Sequence, residues 1–227
     1  MKHQHILAAL VLGMGIANTA HAGFYDDITA SIDMASAASL DAYFTRDLNP
    51  DVGDVNGVNT STSMPWVSVL GEGNDAFDYF SFYSSGGTII ADVDYTYNPV
   101  RTRNYGFDAE IAIWKINPDN TFTLLAENDD YSPITAGAGG SVHAYDSFIQ
   151  LDNVTAGRYV VGVATYSSVA DDTGWIAGSS TLIAADRQYT LEISAVPEPE
   201  TWAMLVAGIG LISLQLRRSG SGRIAIN

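Results

Sequence analysis

Residues 86–97 read Gly-Gly-Thr-Ile-Ile-Ala-Asp-Val-Asp-Tyr-Thr-Tyr, and their alternation decides the fold class. Ile89, Ala91, Val93, Tyr95 and Tyr97 alternate with Thr88, Ile90, Asp92, Asp94 and Thr96. Successive side chains of a strand point to opposite faces, so a period of two predicts a β-strand with one buried face. The same period recurs downstream. Phe122, Leu124 and Ala126 alternate with Thr121, Thr123 and Glu127, and Tyr189, Leu191 and Ile193 alternate with Gln188, Thr190, Glu192 and Ser194. Tyr159 to Ala164 is apolar or glycine throughout, the signature of a central strand, and Ile111 to Ile116 is of similar type. Between these runs stand Ser84-Ser85-Gly86-Gly87, Asn117-Pro118-Asp119-Asn120 and Thr155-Ala156-Gly157, which carry turn chemistry. No amphipathic helix of convincing length follows residue 64. Many short strands separated by turns predict an all-β domain over 65–195, an antiparallel β-sandwich of jelly-roll type.

Working outward, residues 23–64 form an N-terminal extension whose structure the sequence leaves open. Thr29 to Arg46 is rich in Ala, Ser and Asp and fits a helix or a weak strand, whereas Asn49 to Ser63 reads as a loop. Residues 23–195 carry 24 acidic against 6 basic side chains, a formal charge near −18. Such a surface repels phosphates and anionic lipid and attracts cations, which excludes nucleic acid as a partner. Cysteine is absent, so disulfides and thiolate metal sites are excluded too.

Both ends of the chain are written for export. Lys2 precedes an apolar or glycine run from Ile6 to Ile16, and Ala20-His21-Ala22 follows. That order predicts a signal helix in residues 1–22, read by the Sec machinery and cut by signal peptidase after an Ala20-x-Ala22 site. The run is too short to span a bilayer, which takes about 20 apolar residues. At the other end, Val196-Pro197-Glu198-Pro199-Glu200 leads into an apolar stretch from Thr201 to Leu216, closed by Arg217-Arg218. Pro197 and Pro199 keep the approach out of helix, so a transmembrane helix is expected from about Thr201. The two arginines hold its far end in the cytoplasm, where residues 219–227 form a short tail.

Residues 196–218, VPEPETWAMLVAGIGLISLQLRR, resemble the PEP-CTERM sorting signal of exosortase substrates, with Pro197, Glu198 and Pro199 as its motif. The resemblance implies a chain that is exported and transiently anchored in the inner membrane. A membrane-embedded exosortase then processes it near Pro-Glu-Pro for the cell surface or extracellular matrix, in association with exopolysaccharide or biofilm. A second resemblance runs through residues 76–93 (AFDYFSFYSSGGTIIADV), 107–131 (FDAEIAIWKINPDNTFTLLAENDDY) and 145–166 (YDSFIQLDNVTAGRYVVGVATY). In series these are similar to the signatures of bacterial pre-peptidase C-terminal-like β-sandwich domains. Tyrosine-rich residues 95–105 and residues 132–144 depart from that pattern as insertions.

The acidic turns are the candidate site. Asn128-Asp129-Asp130 and Asp146-Ser147 flank the 131–145 loop, and Asp108 opens the preceding strand, so Asp108, Asn128, Asp129, Asp130, Asp146 and Ser147 are expected at one end of the sandwich. Calcium takes six to eight oxygens, and carboxylate, amide and hydroxyl groups supply that type of ligand; the second resemblance also suggests Ca2+ at such turns. The same residues equally suit Asx-stabilised turns with solvated carboxylates. Asp51 to Gly57 has suitable oxygens but lacks the spacing of an EF-hand.

The chain is expected not to be an enzyme. His143 is the only histidine beyond residue 22, and no Gly-x-Ser-x-Gly elbow surrounds any serine. The alternative to a displayed structural or matrix protein is a carbohydrate-binding module. For that role Trp175, Tyr95, Tyr97 and Tyr105 are the stacking candidates, while Trp114 on its apolar strand belongs to the core.

Overall fold

The alternating runs named above lie in ladders over 89–94, 122–127 and 188–194, and Tyr95, Thr96 and Tyr97 lie outside the described residues. The computed structural model describes residues 23–27, 33–54, 56–94, 106–131, 145–176, 178, 181–185 and 187–195. The strands are β1 (Phe24–Asp27), β2 (Ala38–Ser39), β3 (Trp66–Glu72), β4 (Asp78–Ser84), β5 (Gly87–Asp94), β6 (Ala109–Ile116), β7 (Phe122–Asn128), β8 (Phe148–Val154), β9 (Gly157–Thr165), β10 (Ala170–Asp171), β11 (Gly174–Trp175) and β12 (Gln188–Ala195). Two five-stranded sheets result, with orders β1-β3-β12-β5-β8 and β2-β4-β9-β6-β7; β10 and β11 pair separately. The only helical turn among the described residues is Met34–Ser36, a 3-10 turn capped by Asp33.

All the principal pairings are antiparallel, but the two strands from the extension join in parallel, β1 beside β3 and β2 beside β4. The segment whose structure the sequence left open therefore adds one edge strand to each sheet, and 49–63 is a loop of turns with an isolated Gly53–Asn59 bridge. Tyr159 to Ala164 lies in β9, at the centre of its sheet, as its unbroken apolar character requires.

Residues of one parity fill the space between the sheets. Val67 and Val69, Ile89, Ala91 and Val93, and Leu191 and Ile193 meet Phe80, Phe82, Ile111, Ile113, Val161 and Val163 in one buried cluster. At about 25 cal/mol per Å2 of apolar surface removed from water, this layer is the main stabilising contribution. Asp78, on the same parity of β4, is buried and accepts a 2.5 Å hydrogen bond from the Tyr189 hydroxyl.

The other parity is where the half-buried reading needs correction. Ile90, Asp92 and Asp94 of β5 and Glu192 and Ser194 of β12 are all buried as well. Part of the cover is the 49–63 loop, whose Val52 is buried and whose Asp51 lies near enough to Glu192 to affect its ionisation. The outer face of the second sheet is covered likewise. Met34, Ala170 and Trp175 close over Tyr79, Ala112, Trp114, Val160 and Ala164 as a second buried cluster. A sandwich with lids on both faces follows, and alternation alone does not report a lid.

Among the described residues no helix is long and apolar enough to cross a membrane. The expected signal helix in 1–22 and transmembrane helix in 196–218 lie outside the described residues.

Candidate functional site: an acidic pole

The register places the two ends of the sandwich unambiguously. At one pole lie the β4–β5 turn, the β6–β7 turn, the β8–β9 turn and the end of β12, since Ser84 pairs with Gly157, Ile116 with Phe122, and Ala195 with Ile89. At the other pole β6 begins, β7 ends and β8 begins, which gathers all six predicted residues, Asp108, Asn128, Asp129, Asp130, Asp146 and Ser147.

Two of them work for the fold. The buried Ser147 Oγ lies 2.6 Å from the Ala109 carbonyl and 2.7 Å from the Asp129 carbonyl, so its proton ties the β8 entry to β6 or to the β7 exit. Asn128 Oδ1 accepts from Phe148 N at 3.1 Å, a link from one sheet to the other. The backbone completes the knot, with Val93 N donating to Ser147 O at 2.9 Å and Tyr166 N to Asp108 O at 2.8 Å. Asp146 is buried and Asp130 is exposed. Among the described residues no three of His, Cys, Asp or Glu form a group that would hold a metal ion. The pole is thus a convergence of acids and not an enclosed ligand shell. In the second loop weighed for cations, Asp54 Oδ1 accepts from Asn56 N at 2.9 Å, which makes it an Asx turn.

Sequence reading missed two strongly perturbed acids. Glu110 stands on β6 between two buried apolar residues; its Oε2 accepts from Ser168 N at 2.6 Å, while Glu127 Oε1 on β7 accepts from Ala170 N at 2.9 Å. Burial pushes the Glu110 carboxyl up to about 8, the Ser168 amide opposes, and a hydrogen bond that the protonated Glu110 donates to Glu127, together with the charges of Glu127 and Asp129, pushes it further up. Glu192 is 4% exposed. Burial raises it to about 8 against the Ser68 hydroxyl, which lies 2.6 Å from both carboxylate oxygens, and Asp51 adds to the rise. A glutamate inside an otherwise apolar strand, as at Glu110, was the available signal. Its carboxyl and that of Glu127 on the neighbouring strand share a proton-dependent interaction that favours the protonated form of Glu110.

The stacking candidates divide in two. Trp175 is 5% exposed, against the expectation of a surface ring, because it packs edge-on to Trp114 with centroids 5.7 Å apart and donates its backbone N–H to Tyr79 Oη at 2.9 Å. Trp66 and Trp114 are buried too. Tyr95, Tyr97 and Tyr105 lie outside the described residues, as does His143.

Residues 195–219 match the PEP-CTERM protein-sorting motif, at the place where the sandwich ends. The chain therefore carries the address of an exported protein that exosortase sorts, held by a C-terminal membrane anchor before processing. Among solved structures it is similar to the mitogen of Yersinia pseudotuberculosis, at 10% identity over 60% of this chain and 90% of the other with a TM-score of 0.33. It is also similar to the pre-peptidase C-terminal domain of a Bacillus anthracis collagenase, at 15% identity over 58% and 87% with a TM-score of 0.30. A third similarity is to a Sulfurospirillum deleyianum protein, at 13% identity over 59% and 98% with a TM-score of 0.30. No curated protein sequence matches the chain.

Proposed function

We propose that the chain is a non-catalytic structural protein of the cell surface or extracellular matrix, sorted by exosortase and associated with exopolysaccharide or biofilm. The observation that supports this reading is the burial of all three tryptophans of the sandwich, Trp66, Trp114 and Trp175. A module that grips sugars by tryptophan stacking needs such rings in the open. Signal peptidase and the Sec machinery act on the leader at Ala20 and Ala22, and exosortase acts near Pro197-Glu198-Pro199.

Fractionation with and without exosortase tests the sorting half. The expected result is a shortened chain in the surface fraction of the parent strain and a full-length, membrane-retained chain without the enzyme; equal lengths in both strains would overturn it. Affinity electrophoresis in polysaccharide gels tests the other half. Retardation that survives Trp175→Ala but is lost with Tyr95→Ala, Tyr97→Ala and Tyr105→Ala combined would move the reading to a carbohydrate-binding module.

Calcium at the acidic pole is a subsidiary proposal, supported by the convergence of Asp108, Asp129, Asp130 and Asp146. Its test is the melting midpoint in calcium against chelator at matched ionic strength. A ligand at a hundred times its dissociation constant stabilises by about 2.7 kcal/mol, so a bound ion raises the midpoint by several degrees. Equal midpoints remove it.

A further inference from the structure

We propose that, while the sorting tail is in the bilayer, the sandwich stands upright on the lipid headgroups, with the pole of the β4–β5, β6–β7 and β8–β9 turns against the membrane and the acidic pole turned outward. The proposal rests on the reading of 195–219 as a membrane-anchored sorting tail, and adds which surface faces lipid and which is presented to partners.

Covalent geometry is the first support. Ala195, the last residue of β12, pairs with Ile89 at the start of β5 and donates its N–H to Pro65 O at 3.0 Å, so it is fixed at the turn-bearing pole. Only Val196 to Glu200 separate it from the apolar stretch that begins at Thr201. Five residues reach at most about 18 Å even when fully extended. The sandwich itself is longer than its tether: β9 has nine residues, about 30 Å at 3.3 Å per residue. A domain tied at one pole by so short a strap cannot turn its opposite pole to the membrane without laying its whole length along the surface.

Charge supplies the second, independent support. Toward the tethered pole Lys115 near the end of β6, Arg158 near the start of β9 and Arg46 beside the Thr45–Trp66 bridge offset Asp41, Asp47, Asp119 and Asp152, so this pole is close to neutral while the far pole is not. Arg158 also pairs with Asp41 at 3.0 Å. The far pole holds Asp75, Asp108, Asp129, Asp130 and Asp146, with Arg187 as a basic group near it. Upright, those acids stand about 30 Å or more from anionic headgroups, well beyond a screening length of about 8–10 Å. Inverted or lying flat, they would be repelled.

The chain has no cysteine, so single labelling sites need no background changes. Pro118→Cys marks the exposed β6–β7 turn and Asn74→Cys the exposed far end of β3. The mature full-length chain, tail uncleaved, is reconstituted in phosphatidylglycerol-containing vesicles, and energy transfer from each label to a headgroup acceptor is measured. Transfer is expected to be several-fold stronger from position 118 than from position 74, and a ~20-residue Gly-Ser insertion after Ala195 is expected to erase the difference by freeing the tether. Equal transfer from the two sites in vesicle-bound protein, or stronger transfer from 74, overturns the orientation alone. Failure of the chain to float with the vesicles overturns the anchored tail and the orientation with it.

Discussion

Glu110 and Glu192 are held protonated near neutral pH by burial, and this gives the molecule an unusual pH dependence. Each has a folded pKa of about 8, above the ordinary 4.5 of an exposed glutamate. Between those values the native state keeps a proton that the unfolded chain releases, so stability falls as pH rises. The contribution is complete below about 4.5 and lost as pH climbs through about 8. The urea midpoint is therefore expected to be lower at about pH 8.5 than at about pH 6. Glu192→Gln keeps the protonated shape without a charge to expose. It should flatten that slope, with a gain on the order of a few kcal/mol at the alkaline end; a variant whose midpoint tracks the parent at both pH values would show that Glu192 does not carry the proton. Neither acid is marked by a motif. Glu192 is spaced like a solvent-facing strand residue, and only the Asp51 loop and the Ser68 hydroxyl reveal its burial.

The β10–β11 hairpin and the strand beneath it belong together as elements. Gly162, on central β9, is the floor on which the hairpin's ring rests: a Cβ there would come within 2.8 Å of Trp114, 2.9 Å of Trp175 and 3.0 Å of Tyr79. Gly162→Ala is expected to destabilise by about 1–3 kcal/mol through crowding, read as a fall in the urea midpoint at unchanged slope. A neutral result would mean that the hairpin lifts freely, and it would then be no lid. The same hairpin guards an edge. Leu124 N on edge strand β7 donates to Asp172 Oδ1 at 2.8 Å, a contact that occupies part of a strand otherwise open to pairing. Asp172→Ala should raise amide exchange at Leu124 about tenfold, the equivalent of one hydrogen bond near 1.4 kcal/mol. An unchanged rate would place the protection elsewhere. None of this cover was legible from period-two patterns, because a lid is made of short irregular pieces such as 168–175 that carry no period.

Taken whole, the molecule is an acidic body on a short basic-ended tail. Its formal net charge of −16 leaves self-repulsion as a standing cost. Sodium chloride raised from about 10 to about 150 mM is therefore expected to lift the melting midpoint by screening alone. A midpoint insensitive to salt would mean that the acids are already neutralised, whether by protonation or by bound cations. The register adds a direction to that charge, since the acids of the β6, β7 and β8 ends gather at the pole away from Ala195.

The sequence by itself determined the β class, the strands β5, β6, β7, β9 and β12, the central place of β9, the turns between them, and the processing address at the C-terminal end. These are local signals: alternation, Gly and Pro at turns, and an ordered motif of prolines, apolar residues and arginines. It also brought Asp108, Asn128, Asp129, Asp130, Asp146 and Ser147 to one pole, because each sits at a strand end. Only the tertiary structure decided that Ser147 and Asn128 knit the two sheets, that Trp175 is a core ring, that β1 and β2 join in parallel, and that Glu110 and Glu192 are sealed from water. Each of those depends on which distant segment lies across a given side chain, and contact between segments separated by tens of residues leaves no trace in the spacing of either one.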